Sequence, residues 1–273
     1  PMADTYRKVV IHRLTGEFRT ATSIVETARV APGPGEVLVR NRYAGVNAIF
    51  DQNLCRNTIR YVDVVPPYDM GVEAIGEVVE VGARVEGFSV GDAVTNVKLG
   101  AGYREYQVAD AGKLIRVREP TPEILALMAS GISAMVALER IADMKHGETI
   151  AVSAAAGGLG HFVVQLAKRA GNHVIALTGS DHKADLLREL GADRVVNYRS
   201  ESLREVLERE YPRGIDIAYD SVGGEIFDAF LDHLAMYGRL IVSGHTSDFD
   251  KPIEDVPHPR AYHKLYWKSA SIR

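Results

Sequence analysis

The sequence contains very little cysteine. Cys55 is the single cysteine among 273 residues, so the chain can form no internal disulfide and cannot build a zinc cluster from thiolates. No evident base lies beside Cys55 in the sequence, which favours an inert, half-buried thiol over a nucleophile.

The sequence also lacks an excess of charge of one sign. Its 32 basic and 36 acidic side chains are mixed along the chain and give a net charge of -4. Such a balance disfavours a general nucleic-acid-binding protein or a membrane-surface protein. Local sites for small anions stay open.

Long apolar runs and a leader segment are absent as well. No unbroken run of about eighteen apolar residues occurs, and no charged-then-apolar leader opens the chain. We therefore expect a soluble, cytoplasmic protein that binds small molecules, with neither a membrane nor a nucleic acid as partner. The length indicates about two domains.

Residues 1–120 and 121–273 differ in their pattern of strand-like and helical segments. The first range contains short strand-like segments separated by turn clusters, among them EVLVRNRYAGV, AIGEVVEVG and DAVTNV, and predicts a mostly β domain. From Thr121 helical and strand-like segments alternate, which predicts a parallel sheet with right-handed crossovers. The chain is therefore predicted to be α/β, with a β domain followed by a doubly wound parallel-sheet domain.

Two helices of the second range are predicted to be long. TPEILALMASGISAMVALERIADM predicts a helix over 121–144, and EIFDAFLDHLAMYG predicts a helix over 225–238, followed by a strand in RLIVSG. ETIAVSA is predicted as the first buried strand of the sheet, and HFVVQLAKRAG as the helix after it.

The stretch SAAAGGLG joins that strand to that helix. Its register, Ala155-x-Gly157-x-x-Gly160, is a dinucleotide-binding fingerprint with alanine in the first glycine position. Gly157, Gly158 and the Leu159 amide would approach a pyrophosphate, and Gly160 would let the helix pack closely on the strand. A merely tight strand-to-helix turn is the alternative. The flanking strand, helix and further βαβ units favour the cofactor site.

The end of the next strand indicates which dinucleotide binds. In NAD-binding folds an acidic side chain about twenty residues after the glycines contacts the ribose 2′-hydroxyl. Here the chain reads LTGSDHK, where no carboxylate ends the strand and Asp181 suits the N-cap or first turn of the next helix. Ser180 and Lys183 are then free to contact a 2′-phosphate, which predicts NADPH over NADH. An ordinary solvated lysine is the alternative for Lys183.

Seven segments, in order along nearly the whole chain, make the sequence similar to the zinc-independent medium-chain dehydrogenases/reductases, near the quinone oxidoreductases and the prostaglandin reductase 3 type of enone reductase. They are GEVLVRNRYAGVNA (35–48), PPYDMGVEAIGEVVEVG (66–82), GDAV (91–94), SAAAGGLG (153–160), LRELGADRVVNY (187–198), YDSVGGEIFD (219–228) and GRLIVSG (238–244). The resemblance implies a GroES-like, partly open β-barrel followed by a Rossmann domain, with the active site in the cleft between them.

The resemblance also bears on metal and activity. Zinc-dependent relatives carry a cysteine where this chain has Asn47 and a histidine where it has Val72, whereas a catalytic zinc needs about three donors. We therefore expect no metal site. Without a Lewis acid, the expected activity is NADPH-dependent hydride transfer to activated C=C bonds of enones or enals. An NADPH:quinone oxidoreductase and a catalytically idle NADPH-binding protein of structural or regulatory role are the alternatives.

Individual site residues follow from the resemblance. Tyr198 is similar to a tyrosine that contacts the 2′-phosphate, unless its ring only packs on its neighbours. Asn47 would donate to the substrate carbonyl or hold the nicotinamide ribose, unless it only satisfies backbone groups. Tyr61 is similar to a substrate-site tyrosine, although the family's aspartate is displaced by one position here, to Asp51.

Further candidates line the remaining parts of the expected site. Past the carboxyl ends of later strands, where open α/β sheets bind ligands, four residues are expected on the nicotinamide side: Val222, Gly223, Ser243 and Gly244. Tyr68 and His245 are weaker candidates for the substrate side.

The carboxyl end of the chain departs from the family pattern. Family members continue for several tens of residues after the strand that SASIR begins, and that return segment completes the first domain. We expect this chain to lack it. The strand around Ala270 is a pairing edge in the family, so a homodimer is expected if the carboxyl end is intact.

Overall fold

The structure is a computed structural model that describes residues 4–59, 61–248, 264–265 and 267–273. The chain divides into two compact units, Pro1–Ala129 and Ser130–Arg273.

The first unit consists mainly of antiparallel strands. Its described elements are β1 (Thr5–Ile11), α1 (Phe18–Ala21), β2 (Thr22–Ala28), β3 (Glu36–Ala44), α2 (Ala48–Arg56), β4 (Tyr68–Asp69), β5 (Glu73–Val81), β6 (Ala93–Val97), β7 (Tyr106–Asp110), β8 (Ile115–Arg116) and α3 (Pro122–Ala126). One sheet has the order β2-β1-β4 and the other the order β7-β3-β5-β6-β8. Val37 and Val39 of β3 alternate with Leu38 and pack in the core of the larger sheet.

The second unit alternates helices and strands. Its described elements are α4 (Ile132–Val136), β9 (Thr149–Val152), α5 (Gly160–Arg169), β10 (His173–Thr178), α6 (Asp181–Glu189), β11 (Arg194–Asn197), α7 (Leu203–Glu210), β12 (Ile215–Asp220), α8 (Gly224–Asp232), β13 (Leu234–Val242) and β14 (Ser271–Ile272).

These strands form one sheet in the order β11-β10-β9-β12-β13-β14, and every pairing is parallel. The order reverses beside β9, as in a doubly wound Rossmann fold. Ile150 and Val152 pack into one core cluster and Ala151 into the other, so both faces of β9 are buried. The predicted α/β fold class is confirmed, with a mostly β first unit and a doubly wound parallel sheet in the second.

The helix predicted over 121–144 forms and is irregular. Thr121 caps α3 by accepting from the Ile124 amide, Pro122 stands in the first turn, and the π-helical segments Leu127–Gly131 and Ala137–Ile141 flank α4. By length and composition, Pro122–Ile141 could cross a membrane, since one window has a mean hydropathy of 1.7. Helices in the cores of soluble proteins reach the same length and hydropathy.

The helix predicted over 225–238 is too long. It ends at Asp232, and Leu234 begins β13, where it pairs with Ile215 and is buried. The residues LAMY suit a helix by local propensity, but the parallel partner strand β12 offers hydrogen bonds and burial that override it.

Two features of the first unit were not predicted from the sequence. They are the hairpin of β1 and β2 and the helix α2 over residues 48–56.

Candidate functional site

The loop between β9 and α5 holds the glycine motif. At Gly160 a Cβ would lie 2.4 Å from the Ala154 carbonyl oxygen and 2.8 Å from the Ala155 Cα. Only glycine allows the first turn of α5 to approach the strand end so closely. Ala154 itself has a φ of 45° and Ala155 is fully buried, which accounts for small side chains in the turn.

The amides of this loop are not equivalent. The Gly157 amide donates to the Ala154 carbonyl across 2.9 Å and is therefore engaged within the turn. Among the described residues, the amides of Gly158 and Leu159 have no hydrogen-bond acceptor, and Gly158 is exposed. Gly158 and Leu159 can thus donate to an anion, whereas Gly157 contributes an open surface rather than a donor.

His161 supports the same loop and was not singled out from the sequence. Its Nδ1 lies 2.9 Å from the Gly157 carbonyl oxygen, and its own amide donates to that oxygen across 3.2 Å. Because a carbonyl oxygen only accepts, Nδ1 carries the proton. Both bonds turn the Gly157 carbonyl toward α5.

The turn after β10 carries the residues expected to contact a 2′-phosphate. Ser180 is the N-cap of α6, and Asp181 is the first residue of that helix. Asp181 accepts a hydrogen bond from Asn197 Nδ2 across 2.6 Å. Lys183 is exposed, and neither its ammonium group nor the Ser180 hydroxyl has a hydrogen-bond partner among the described residues.

Tyr198 reaches this turn from the neighbouring strand. A Cβ on Gly179 would lie 2.6 Å from the Tyr198 hydroxyl oxygen, so the ring tip fills the space over that glycine. The structure therefore brings Tyr198 to Gly179, next to Ser180, with 44% of its surface exposed.

A buried carboxylate organises the end of β12. Asp220 is fully buried and accepts from Ser153 Oγ at 2.6 Å, the Val222 amide at 2.9 Å and the Gly223 amide at 3.0 Å. Gly223 has a φ of 81° and ψ of -162°, a conformation that only glycine adopts readily. Asp220 and Ser153 were missed in the sequence, because buried polar pairs leave no periodic signal.

Ser243 and Gly244 join the same edge. The Ser243 amide donates to the Asp220 carbonyl across 2.7 Å, and its hydroxyl accepts from the Tyr219 hydroxyl across 2.9 Å. A Cβ on Gly244 would lie 3.0 Å from the Ser221 carbonyl oxygen. The turns after β12 and β13, with their four predicted residues, therefore lie together.

In the first unit, Asn47 is the N-cap of α2, yet its side chain does not cap the helix. Its Nδ2 donates across 3.1 Å to Glu73 Oε1, and Glu73 Oε2 accepts from the Ala129 amide at 3.3 Å. Glu73 is 6% exposed, and a Cβ on Gly45 would overlap its carboxylate. The Glu73 carboxylate thus orients the Asn47 amide and leaves Asn47 Oδ1 as a hydrogen-bond acceptor.

A second buried carboxylate lies one turn further along α2. Asp51 is 2% exposed, its Oδ2 accepts a short hydrogen bond from the Tyr103 hydroxyl, and its Oδ1 has no described partner. Burial raises the pKa of Asp51, and the Tyr103 bond opposes that shift. Burial, followed by the neighbouring Asp51 charge, raises the pKa of Cys55, which is fully rather than half buried.

The other substrate-side candidates are more dispersed. Tyr61 is 81% exposed, and no described hydrogen bond ties it to Asn47. Tyr68 lies in β4 with a pKa raised by burial, and His245 follows β13 in the second unit. Within the described ranges, no group of three or more His, Cys, Asp or Glu side chains is placed to hold a metal ion.

The donor set of the second unit fits a phosphorylated dinucleotide. Gly158 and Leu159 provide amide donors at the start of a helix, and the absence of a Cβ at Gly179 lets the Tyr198 hydroxyl approach this turn. No carboxylate ends β10, since Asp181 already belongs to α6. These residues can hold a pyrophosphate and a 2′-phosphate.

Family models match both halves of the chain. Residues 33–119 match the alcohol dehydrogenase GroES-like domain, and residues 158–265 match the zinc-binding dehydrogenase model.

Individual relatives are similar over almost the whole chain. Prostaglandin reductase-3 of Mus musculus is 41% identical over 98% of this chain and 72% of its own length. A probable quinone oxidoreductase of Leishmania amazonensis is 37% identical over 98% of this chain and 79% of its own. The structure of Escherichia coli quinone oxidoreductase complexed with NADPH has a TM-score of 0.83 at 26% identity, covering 98% of this chain and 80% of that one.

Proposed function

Because the chain belongs to the zinc-independent medium-chain dehydrogenases/reductases, we propose that it is an NADPH-dependent oxidoreductase that reduces activated C=C bonds of enones or enals. The observation that carries this proposal is the turn after β10, where Tyr198 lies over Gly179 and no carboxylate ends the strand. A 2′-phosphate suits that turn, whereas the ribose of NADH would lack its usual acidic partner.

The second unit supplies the proposed cofactor contacts. Gly158 and Leu159 donate their amides to the pyrophosphate, beside the open surface of Gly157 and the close packing of Gly160. Ser180, Lys183 and Tyr198 contact the 2′-phosphate. Val222, Gly223, Ser243 and Gly244 are the proposed contacts on the nicotinamide side, and the hydrogen bonds of Asp220 to the two turns that carry them support this proposal. NADPH, when bound, supplies the hydride for the β-carbon of the substrate.

In the first unit, Asn47 is the proposed polar contact at the reacting end. With Nδ2 bound to Glu73, Asn47 Oδ1 is left to accept from a hydroxyl group. This favours a ribose hydroxyl as its partner over a substrate carbonyl oxygen, which needs a donor. Tyr61 is the proposed substrate-side tyrosine, with its ring largely open to solvent.

Quinone reduction is the second candidate. The similarity to a probable quinone oxidoreductase over 98% of this chain favours it. A reduced quinone takes its protons on oxygen, where exchange with water is fast, so that reaction needs no positioned proton donor.

We also propose a cytoplasmic location and a homodimer. In the described residues β14 pairs with β13 alone and is the edge of the parallel sheet, so it can pair with a second copy. Sedimentation of the purified protein tests the dimer directly.

Turnover assays separate the candidate functions. Loss of NADPH absorbance is followed with a 2-alkenal, an aromatic enone and a simple quinone, and the saturated product is identified by mass spectrometry. Deuterium at C4 of NADPH should appear on the β-carbon of the product. Turnover of the quinone alone would replace the first candidate by the second, and NADPH binding without any turnover would indicate the idle protein.

A further inference from the structure

The carboxyl ends of β10 and β11 lie side by side. The two strands pair in parallel with Thr178 opposite Asn197, and the Tyr198 amide continues the ladder by donating to the Thr178 carbonyl across 3.1 Å. The residues that leave the strands, Gly179 on one side and Tyr198 and Arg199 on the other, therefore run next to each other at the ligand-binding edge of the sheet.

Arg199 reaches the same glycine as Tyr198. A Cβ on Gly179 would lie 3.2 Å from Arg199 Nε, so the guanidinium group borders the space that the missing side chain leaves. Sequence reasoning chose Lys183 as the cation of this turn and overlooked Arg199.

Arg199 has no acidic partner within the described part of the chain. The nearest acid along the chain, Glu201, is bound by Arg194 through two bonds, of 3.0 Å and 2.7 Å, and the hydrogen bond from Arg194 lowers the pKa of Glu201. Arg199 is exposed, so its donors are open to an anion.

The charges around Gly179 leave Arg199 as the cation whose charge no neighbouring acid among the described residues offsets. Asp181 and Lys183 lie in the first turn of α6 and carry opposite charges, and Asp181 is bound by the neutral side-chain amide of Asn197 rather than by a cation. Arg199 therefore provides the net positive charge of the two turns. Its planar fork can also donate two parallel hydrogen bonds to a phosphate, which an ammonium group cannot do.

The backbone of Arg199 is held in place by Asn197. Asn197 Oδ1 accepts from the Arg199 amide at 3.1 Å, while Nδ2 of the same side chain donates to Asp181. One side chain thus ties the turn after β11 to the turn after β10.

We propose that Arg199 binds the 2′-phosphate of NADPH through its guanidinium group and contributes more than Lys183 to discrimination against NADH. This assignment rests on the proposed use of NADPH. It names the side chain that contributes most to the preference for NADPH over NADH.

Fluorescence titrations with NADPH and NADH test the proposal without any turnover. The variants are Arg199→Ala, Arg199→Lys, Lys183→Ala and the matched control Arg213→Ala, which removes an exposed arginine of another turn. Competition by 2′,5′-ADP against 5′-AMP isolates the 2′-phosphate. A melting curve of each variant checks that it is folded.

We expect Arg199→Ala to weaken NADPH and 2′,5′-ADP binding by about tenfold or more, with NADH and 5′-AMP nearly unchanged. Arg199→Lys should lie between this variant and the parent, Lys183→Ala should lose less, and Arg213→Ala should match the parent. If Arg199→Ala keeps the parent's preference for NADPH, or Lys183→Ala loses more, the assignment is wrong. A parent protein that binds both nucleotides equally would overturn the proposed use of NADPH as well.

Discussion

Asn47 donates its side-chain amide to the carboxylate of Glu73 across 3.1 Å, although its place at the start of α2 is one where asparagine usually caps the helix. A buried carboxylate can only accept, so this bond decides which atom of Asn47 is left for a ligand.

Glu73→Gln should lower kcat/KM for NADPH-dependent reduction by about tenfold, because a charge-assisted hydrogen bond is worth about 1.5–3 kcal/mol and a glutamine amide lets Asn47 rotate. Steady-state kinetics with the best substrate measure this effect. Glu77→Gln is the control, since Glu77 lies on the same strand but pairs with Arg42 at a partly exposed site. Equal activity of the two variants would show that Glu73 does not orient Asn47.

Asp51→Asn should change how stability depends on pH. Burial raises the pKa of Asp51 in the folded protein, so the folded state keeps a proton that the unfolded carboxyl loses above its pKa of about 3.9. The free energy of unfolding of the parent therefore falls as pH rises through the interval between the two pKa values.

The variant cannot titrate there, so its stability relative to the parent should increase as pH rises above about 4 and then level off. Urea unfolding at a series of pH values measures the difference. Asp63→Asn, at an exposed position, serves as the control. A difference between Asp51→Asn and the parent that stays constant over this range would contradict the prediction.

Gly160→Ala and Gly158→Ala should separate packing from cofactor binding. The Cβ at 160 meets backbone atoms within 3 Å, so we expect a loss of about 1–3 kcal/mol in the free energy of unfolding. At 158 the nearest atom to a Cβ is Ser130 Oγ at 3.8 Å, so stability should change by less than about 0.5 kcal/mol while NADPH affinity falls several-fold. Unfolding curves and NADPH titrations of both variants check this pair, and a Gly158→Ala protein that binds NADPH like the parent would show that the pyrophosphate does not approach the backbone at 158 closely.

Asp220→Asn should destabilise the second unit and disturb the turn at Val222 and Gly223. An amide group in place of one carboxylate oxygen would face an N–H donor, at a cost of about 1.5–3 kcal/mol. Ser153→Ala removes one donor to Asp220 and also the acceptor of the Ser221 amide, and should cost about 1–2 kcal/mol. Asp228→Asn in α8, for which no described hydrogen bond exists, is the control for the charge change. Chemical denaturation of the three variants should rank them in that order.

The parallel sheet and its glycine loop could be predicted because local patterns carry them. Strand and helix periodicity place β9 and α5 on either side of SAAAGGLG. The close packing at Gly160 could be predicted as well, because a Cβ at that position would overlap the Ala154 carbonyl oxygen. The end of the helix after Gly224 was misjudged because LAMY has no local stop signal, and its strand conformation depends on pairing with β12.

The alternation of strands and helices, the position of the glycine loop and the lack of an acidic residue at the end of β10 could all be predicted from local patterns in the chain. The folded structure was needed to show that the Gly157 amide is engaged within its turn, that Glu73 holds Asn47, and that Arg199 borders Gly179. Periodicity and glycine sterics act between near neighbours in the chain, whereas the contacts of Glu73 and Arg199 join residues that become adjacent only when separate strands pair.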